Sequence, residues 1–358
     1  MPSKKAKNAA RFYNEITRSL EPYIPGEQPK VTGSIIKINT NESPFPPPPK
    51  VIRAIKRFPF EALRLYPEPD IHTLRAAIAA RYNTSADRIH CGNGSDEILA
   101  DIFNAFASKK SLAVFTDPTY TLYVTLAKRF GIPSRSIPTE SDFSIDLDKI
   151  PNRANVLFFL ANPNAQTGLF IPIETVRKFL AGFKGLLILD EAYVDFAAES
   201  GLSLAKEFDN IIVTRTCSKS FSLCGLRVGY CFANPVLIDG LARVKDSYNL
   251  NILSQRAATA AMEDYEYVMR NVKRIVDERE RVFSVLTKRG FTVLPGQGNF
   301  LLANPNRISA KELYEALKKR NIFVRYFSTS RLRDYVRITI GTRAQNDTLL
   351  KAIHGIVG

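Results

Sequence analysis

Thr214-Arg-Thr-Cys-Ser-Lys-Ser-Phe-Ser-Leu-Cys-Gly-Leu-Arg-Val-Gly-Tyr230 starts inside an apolar strand and leaves it with a lysine between two serines. The strand is read at 211–215, so Lys219 falls just past its carboxyl end. An amine that is to form an imine must first lose its proton, and partial burial with a cationic neighbour promotes that loss. Arg227 is such a neighbour, and its planar fork also suits a phosphate. A lysine alone is usually a surface residue. A lysine after this strand, beside Ser218 and Ser220 and with this arginine, points to covalent capture of a carbonyl compound.

Working outward, strands and helices alternate. A helix over 71–82 precedes a short strand at 89–91, and a second helix opens near Ser95. A strand at 113–115, a helix at 120–130 and strands at 134–137 and 156–160 come next. A helix at 173–181 and strands at 186–190 and 211–215 complete the run. This alternation predicts an α/β fold with a mainly parallel sheet sandwiched by helices. In such sheets ligands bind outside the carboxyl ends of the strands. Beyond Tyr230 the pattern changes to a long helical stretch over 251–289, strands at 291–294 and 300–302, a helix at 310–320, and strands at 323–326 and 335–340. That order predicts a smaller α+β domain. Near the start, Phe12, Ile16 and Leu20 recur at helical spacing until Pro22, Pro25 and Pro29 stop the helix. Residues 44–49 are nearly all proline and are expected to be extended. The expected organisation is an N-terminal arm with part of the small domain at 1–44, a large domain at 45–246, and a small C-terminal domain at 247–358 that begins with a long connecting helix.

The chain has 358 residues, 45% apolar and 24% charged, an ordinary globular composition with room for two domains. No apolar run approaches the ~20 residues of a membrane span. Lys4, Lys5, Lys7 and Arg11 are followed by no apolar run of the secretory kind, and Cys91, Cys217, Cys224 and Cys231 are scattered. Both features predict a cytoplasmic protein rather than a disulfide framework. His72, His90 and His354 show no metal-ligand spacing, so no metal site is expected. The net charge is +15, and residues 270–358 hold 18 Lys+Arg against 7 Asp+Glu. Such an excess is most often a solvated face. It can also mark nucleic-acid binding, or a few arginines set aside for a small anion.

Other strand ends carry polar groups. Leu187-Ile-Leu-Asp190-Glu-Ala-Tyr193 ends an apolar strand in a carboxylate, which can cap a turn or hold a pyridine nitrogen protonated. The phenol of Tyr193 is three residues on. Asn162 opens a turn marked by Pro163 and Gly168. Ser95 reads as a helix N-cap, and the backbone N–H groups of Ser95 and Asp96 suit a phosphate. Tyr120, after Asp117-Pro-Thr, can stack on a planar ring or simply pack. Taken together, these groups fit one cofactor.

The set resembles the fold-type I pyridoxal-phosphate aminotransferases, and in detail the histidinol-phosphate aminotransferase family. The match covers nearly the whole chain. It rests on Asn39-Thr-Asn41-Glu42-Ser-Pro, Leu65-Tyr66-Pro67-Glu68, Asn93-Gly94-Ser95-Asp96-Glu97, Asp117-Pro-Thr-Tyr120, Asp190-Glu-Ala-Tyr193, Ser218-Lys219-Ser-Phe, Gly225-Leu-Arg227-Val-Gly and Arg337-Ile-Thr-Ile-Gly341-Thr. The resemblance implies pyridoxal 5'-phosphate as cofactor, held as a Schiff base by Lys219, which also moves the proton. It implies Asp190 on the ring nitrogen, Tyr193 and Asn162 on the ring oxygen, and Tyr120 stacked on the ring. Ser95, Asp96, Ser218 and Arg227 are implied on the phosphate. Tyr66 is implied to reach the phosphate of a second subunit in a homodimer with shared sites. Asn41, Arg325 and Arg337 are implied to bind substrate.

The implied reaction passes an amino group between histidinol phosphate and 2-oxoglutarate, giving imidazole-acetol phosphate and glutamate. Aromatic amino acid aminotransferases and threonine-phosphate decarboxylases share the fold and remain alternatives. Neither nucleic acid nor membrane is expected as a partner. The roughly 40 residues before the first motif are too few for a separate DNA-binding domain. One departure stands out: where the family reads Asn-Pro-x-x-Pro-Thr-Gly, this chain has Gln166 in place of the second proline.

Overall fold

The computed structural model describes residues 10–20, 27–29 and 35–357. Its strands are β1 (Ile36–Lys37), β2 (Ile89–Asn93), β3 (Leu112–Asp117), β4 (Ser134–Pro138), β5 (Val156–Ala161), β6 (Leu186–Asp190), β7 (Ile211–Thr216), β8 (Val228–Ala233), β9 (Thr292–Val293), β10 (Phe300–Asn304), β11 (Ile322–Phe323), β12 (Arg325–Tyr326) and β13 (Val336–Thr339).

Seven of them form one sheet in the order β2-β8-β7-β6-β5-β3-β4. The strands β4, β3, β5, β6 and β7 run parallel, and β8 runs antiparallel to both its neighbours. The central strands are apolar throughout because both faces are covered. Phe158, Phe159, Leu160, Leu187, Ile188, Leu189, Ile211, Ile212 and Val213 are all buried. The helices Gly94–Phe106 and Leu122–Arg129 follow β2 and β3, and Ile173–Gly182 links β5 to β6. The fold is thus α/β with a mainly parallel central sheet, as the alternation predicted.

The strand β8 is not among those expected from the sequence. Its residues continue the lysine motif as Val-Gly-Tyr-Cys-Phe-Ala, all buried, and they look like a motif's tail until the partner strands are seen.

The 251–289 stretch is corrected. It is two helices, Ile252–Met262 and Tyr265–Lys288, rather than one connecting helix. At the break, the backbone N–H of Lys50 donates to Asp264 Oδ2 at 3.1 Å, and Lys50 Nζ donates to the Glu263 carbonyl at 2.7 Å. The first helix packs on Pro49–Lys56 and His72–Tyr82. Pro49 begins a helix instead of closing an extended run, a position where its missing N–H costs nothing. Near the start, Glu15–Ser19 is helical. The stop assigned to Pro22 and Pro25 lies outside the described residues, as do Lys4, Lys5 and Lys7.

A second sheet, β12-β13-β10-β9, is antiparallel, and β1 pairs in parallel with β11. The early segment thereby joins the C-terminal elements. The loop after β12 grips the first sheet through Arg331, whose Nη2 donates to the carbonyls of Thr139 and Glu140. No helix among the described residues is long and apolar enough to cross a membrane.

Gly229 is where β8 meets the helix that starts at Gly94. A Cβ there would lie 2.3 Å from both Gly94 C and Ser95 N, which are backbone atoms that cannot yield cheaply. Gly229→Ala is expected to destabilise the fold by about 1–3 kcal/mol, the usual cost of overpacking. Chemical denaturation checks this against Gly182→Ala, where a Cβ meets nothing within 4 Å.

Candidate active site

The carboxyl ends of β6 and β7 and the start of the Gly94–Phe106 helix line a cavity of about 110 Å³ that is partly open to solvent. Its walls include Ser95, Asp96, Tyr120, Asp190, Tyr193, Ser218, Lys219 and Arg227, so eight of the predicted residues converge.

Asp190 ends β6 and is 4% exposed. Tyr123 OH donates to its Oδ2 at 2.6 Å, and the Ala192 backbone N–H donates to its Oδ1 at 3.2 Å. Both donors are neutral. Burial raises the Asp190 carboxyl above its ordinary range, and the Tyr123 bond pulls the other way. Burial and the adjacent Asp190 push the Tyr123 phenol well above its own range, so it stays a donor. The sequence reading missed Tyr123. Its signal was there: it is one position into a helix that Tyr120 precedes, aimed back at the sheet.

At the other end of the cavity, the Gly94–Phe106 helix points its N-terminus inward. Ser95 was expected as the N-cap; the cap is Asn93, and Ser95 lies in the first turn. The Asn93 side chain makes no capping bond; Glu97 Oε2 instead accepts from the Asn93 backbone N–H at 2.6 Å, and Ser95 and Asp96 of the first turn line the cavity. Arg227 reaches them from a left-handed backbone turn with φ of 51°. Its Nη2 donates to Asp96 Oδ2 at 2.9 Å and its Nη1 to Ser218 Oγ at 3.3 Å. Tyr120 OH donates to the other Asp96 oxygen at 3.0 Å. The Asp96 carboxylate is therefore partnered, and it holds both the guanidinium and the ring of Tyr120 in place. Gly94, at φ of 74°, leaves room for the arginine: a Cβ there would lie 2.6 Å from Nη2.

Lys219 is partly buried, with Nζ donating to the Thr40 carbonyl at 3.2 Å and 5.6 Å from the centre of the Tyr193 ring. Asn41, 1% exposed, donates through Nδ2 to Tyr193 OH at 3.0 Å. Its Oδ1 accepts from Thr339 Oγ1 at 2.9 Å, which ties the arm to β13. Asn41, expected to contact substrate, thus also orients the Tyr193 phenol.

Asn162, expected on the same oxygen as Tyr193, exchanges two bonds with the Ile171 backbone, at 2.9 and 2.8 Å, and keeps a second Nδ2 proton. Those bonds close the turn, and its neighbours Ala161 and Pro163 line the cavity.

Arg325 and Arg337 are direct partners across β12 and β13. Both guanidiniums lie near the Phe327 ring, at 5.0 and 5.3 Å. Neither lines the cavity; Arg337 adjoins it by donating from Nη1 to the Ala165 carbonyl at 2.8 Å. Like charges opposite each other on a sheet repel, and an anion between them relieves the repulsion. Tyr66 stands apart, 78% exposed and stacked on Tyr248 with ring centres 4.4 Å apart.

Comparison with known proteins identifies the family. Residues 33–353 match the family model for aminotransferases of class I and II. Histidinol-phosphate aminotransferase 2 of Gluconobacter oxydans (strain 621H) is 43% identical over 352 residues, covering 97% of this chain and 99% of its own. A solved histidinol-phosphate aminotransferase from Sinorhizobium meliloti, in complex with pyridoxal-5'-phosphate, superposes with a TM-score of 0.85. It is 25% identical, with 96% of this chain and 98% of that one covered. L-threonine-O-3-phosphate decarboxylase from Porphyromonas gingivalis shares the fold, with a TM-score of 0.78 at 23% identity over 90% of this chain and 99% of its own. A buried strand-end carboxylate, a lysine beyond the next strand and an arginine at a helix N-terminus thus sit on a shared framework, and this chain belongs to the class I and II aminotransferase family.

Proposed function

We propose that the protein transfers an amino group between histidinol phosphate and 2-oxoglutarate, in two half-reactions, with pyridoxal 5'-phosphate as cofactor. The observation that carries this reading is the Arg325–Arg337 pair beside a lysine-bearing cavity. Every substrate of the reaction is an anion, carrying either a phosphate or carboxylates.

The residues fit the cofactor. A buried carboxylate met only by neutral donors matches a protonated ring nitrogen. A helix N-terminus lining the cavity beside a guanidinium matches a phosphate. The bound cofactor supplies an aldehyde that captures amino groups and a ring that draws electrons from the attached carbon.

The chain does the rest. Lys219 provides the amine that anchors the cofactor and then carries a proton from substrate Cα. Asp190 keeps the ring nitrogen protonated, and Tyr123 holds Asp190 in place. Tyr193, oriented by Asn41, donates to the ring oxygen, and Tyr120 covers one ring face. Ser95, Asp96 through its backbone, Ser218 and Arg227 hold the phosphate. The exposed Tyr66 ring reaches the phosphate of a second copy, which makes the working unit a homodimer. The four cysteines are free, in keeping with a cytoplasmic enzyme of histidine biosynthesis.

Histidinol phosphate added to the holoenzyme should bleach the cofactor's visible band, and 2-oxoglutarate should restore it. Bleaching by phenylalanine but not by histidinol phosphate would overturn the substrate assignment. Lys219→Ala should abolish this cycle while circular dichroism stays unchanged.

Truncating an arginine should weaken the matching anion. Arg325→Ala is expected to raise the KM for histidinol phosphate, and Arg337→Ala that for glutamate, each by about 10- to 100-fold, the value of charged hydrogen bonds. Steady-state kinetics with each substrate in turn checks the split.

Asp190 also sets a pH dependence in the cofactor-free protein. Its folded value is raised above the ordinary 3.8, so the folded state binds the proton more tightly than the unfolded state. Stability is therefore lost as pH rises from the ordinary value through the raised one. Relative to Asp190→Asn, the wild-type apoprotein should lose unfolding free energy across that window and then level off. Parallel denaturant melts from acid to neutral pH measure the difference.

A further inference from the structure

The turn after β5 departs from the family pattern at Gln166, and the structure ties this side chain to two places. Gln166 is 6% exposed. Its Nε2 donates to the Thr119 carbonyl at 3.2 Å. Its Oε1 accepts from Arg337 Nη1 at 3.0 Å, alongside the Ala165 carbonyl at 2.8 Å. Its backbone N–H donates to Asn164 Oδ1 at 2.9 Å, a bond that proline, lacking the proton, cannot make.

The two ends of this strut matter. Thr119 precedes Tyr120, whose ring lines the cavity. Arg337 belongs to β13, in the other sheet. Gln166 therefore joins the turn that carries the stacking ring to the strand that carries the substrate arginine.

We propose that Gln166 is a positioning residue that fixes the Arg337 guanidinium for the substrate carboxylate and so helps set the affinity for dicarboxylate substrates. This rests on reading Arg337 as the anion-binding arginine. The acceptor is an amide oxygen, which orients a guanidinium without cancelling its charge. A carboxylate at the same place would form an ion pair and compete with the substrate. An aliphatic side chain would leave one edge of the arginine and the Thr119 carbonyl each short of a partner. A proline would offer Arg337 no acceptor at this side chain.

The test uses the holoenzyme and succinate, an unreactive dicarboxylate, whose binding is read from the cofactor's absorption. Gln166→Leu should raise the succinate Kd and the 2-oxoglutarate KM about tenfold, while kcat and the cofactor spectrum stay within about twofold. Gln166→Glu should weaken succinate further than Gln166→Leu does. In an Arg337→Ala background, Gln166→Leu should change succinate binding less than twofold, because the group it positions is gone. Undiminished succinate affinity in both Gln166 variants, with Arg337→Ala alone defective, would overturn the inference and leave the arginine's role standing. An equal loss from Gln166→Leu with and without Arg337 would reduce the residue to a structural brace. Normal succinate binding in Arg337→Ala alone would remove the assignment of the arginine and this inference with it.

Discussion

A carboxylate buried at the end of β6 and met by two neutral donors is the constraint around which the site is organised. An ionised group in that position is costly until a cation joins it. Asp190 is raised by burial for that reason, and Tyr123 and Ala192 only partly offset the cost. The proposed function supplies the missing charge as a protonated ring nitrogen. Cofactor binding and fold stability are then linked through one side chain, and the cofactor-free protein carries the strain.

The rest of the cavity is arranged at fixed distances from that carboxylate by the sheet. Asp190, the last residue of β6, pairs with Thr214, and β7 runs two residues further to Thr216 before the chain turns into the Lys219 loop. The antiparallel β8 then returns beneath the helix at Gly94, and Gly229 allows the backbones to touch. That contact brings Arg227, in a left-handed conformation, up to the helix N-terminus. Positive charge, the first turn of the helix and the Ser218 hydroxyl meet there, and Asp96 anchors the guanidinium.

The second sheet closes the site from the side. Asn41 links the Tyr193 phenol to Thr339, and Arg337 reaches back to the Ala165 and Gln166 turn. On the proposed roles, substrate recognition and cofactor recognition share a boundary. A shift of β13 would move the arginine and the phenol's partner at once.

Much of this was legible in the chain. Apolar runs of strand length ending in Asp190, or followed closely by Lys219, carry a local signal, because burial on both faces demands continuous hydrophobicity and chemistry collects at strand ends. Local pattern also separated the mainly parallel sheet from the later α+β elements. It did not reveal β8, whose residues looked like part of a motif, or the break at Glu263–Asp264, which depends on Lys50 from a segment more than 200 positions away. Nor did it foresee that Asn162 would turn to Ile171, that Tyr123 would face Asp190, or that Arg325 and Arg337 would stand side by side. Composition and periodicity determined which segments bury and which ends are polar. Only the tertiary structure decided which polar group meets which, because hydrogen bonds and ion pairs act over a few ångströms between residues that the sequence leaves far apart.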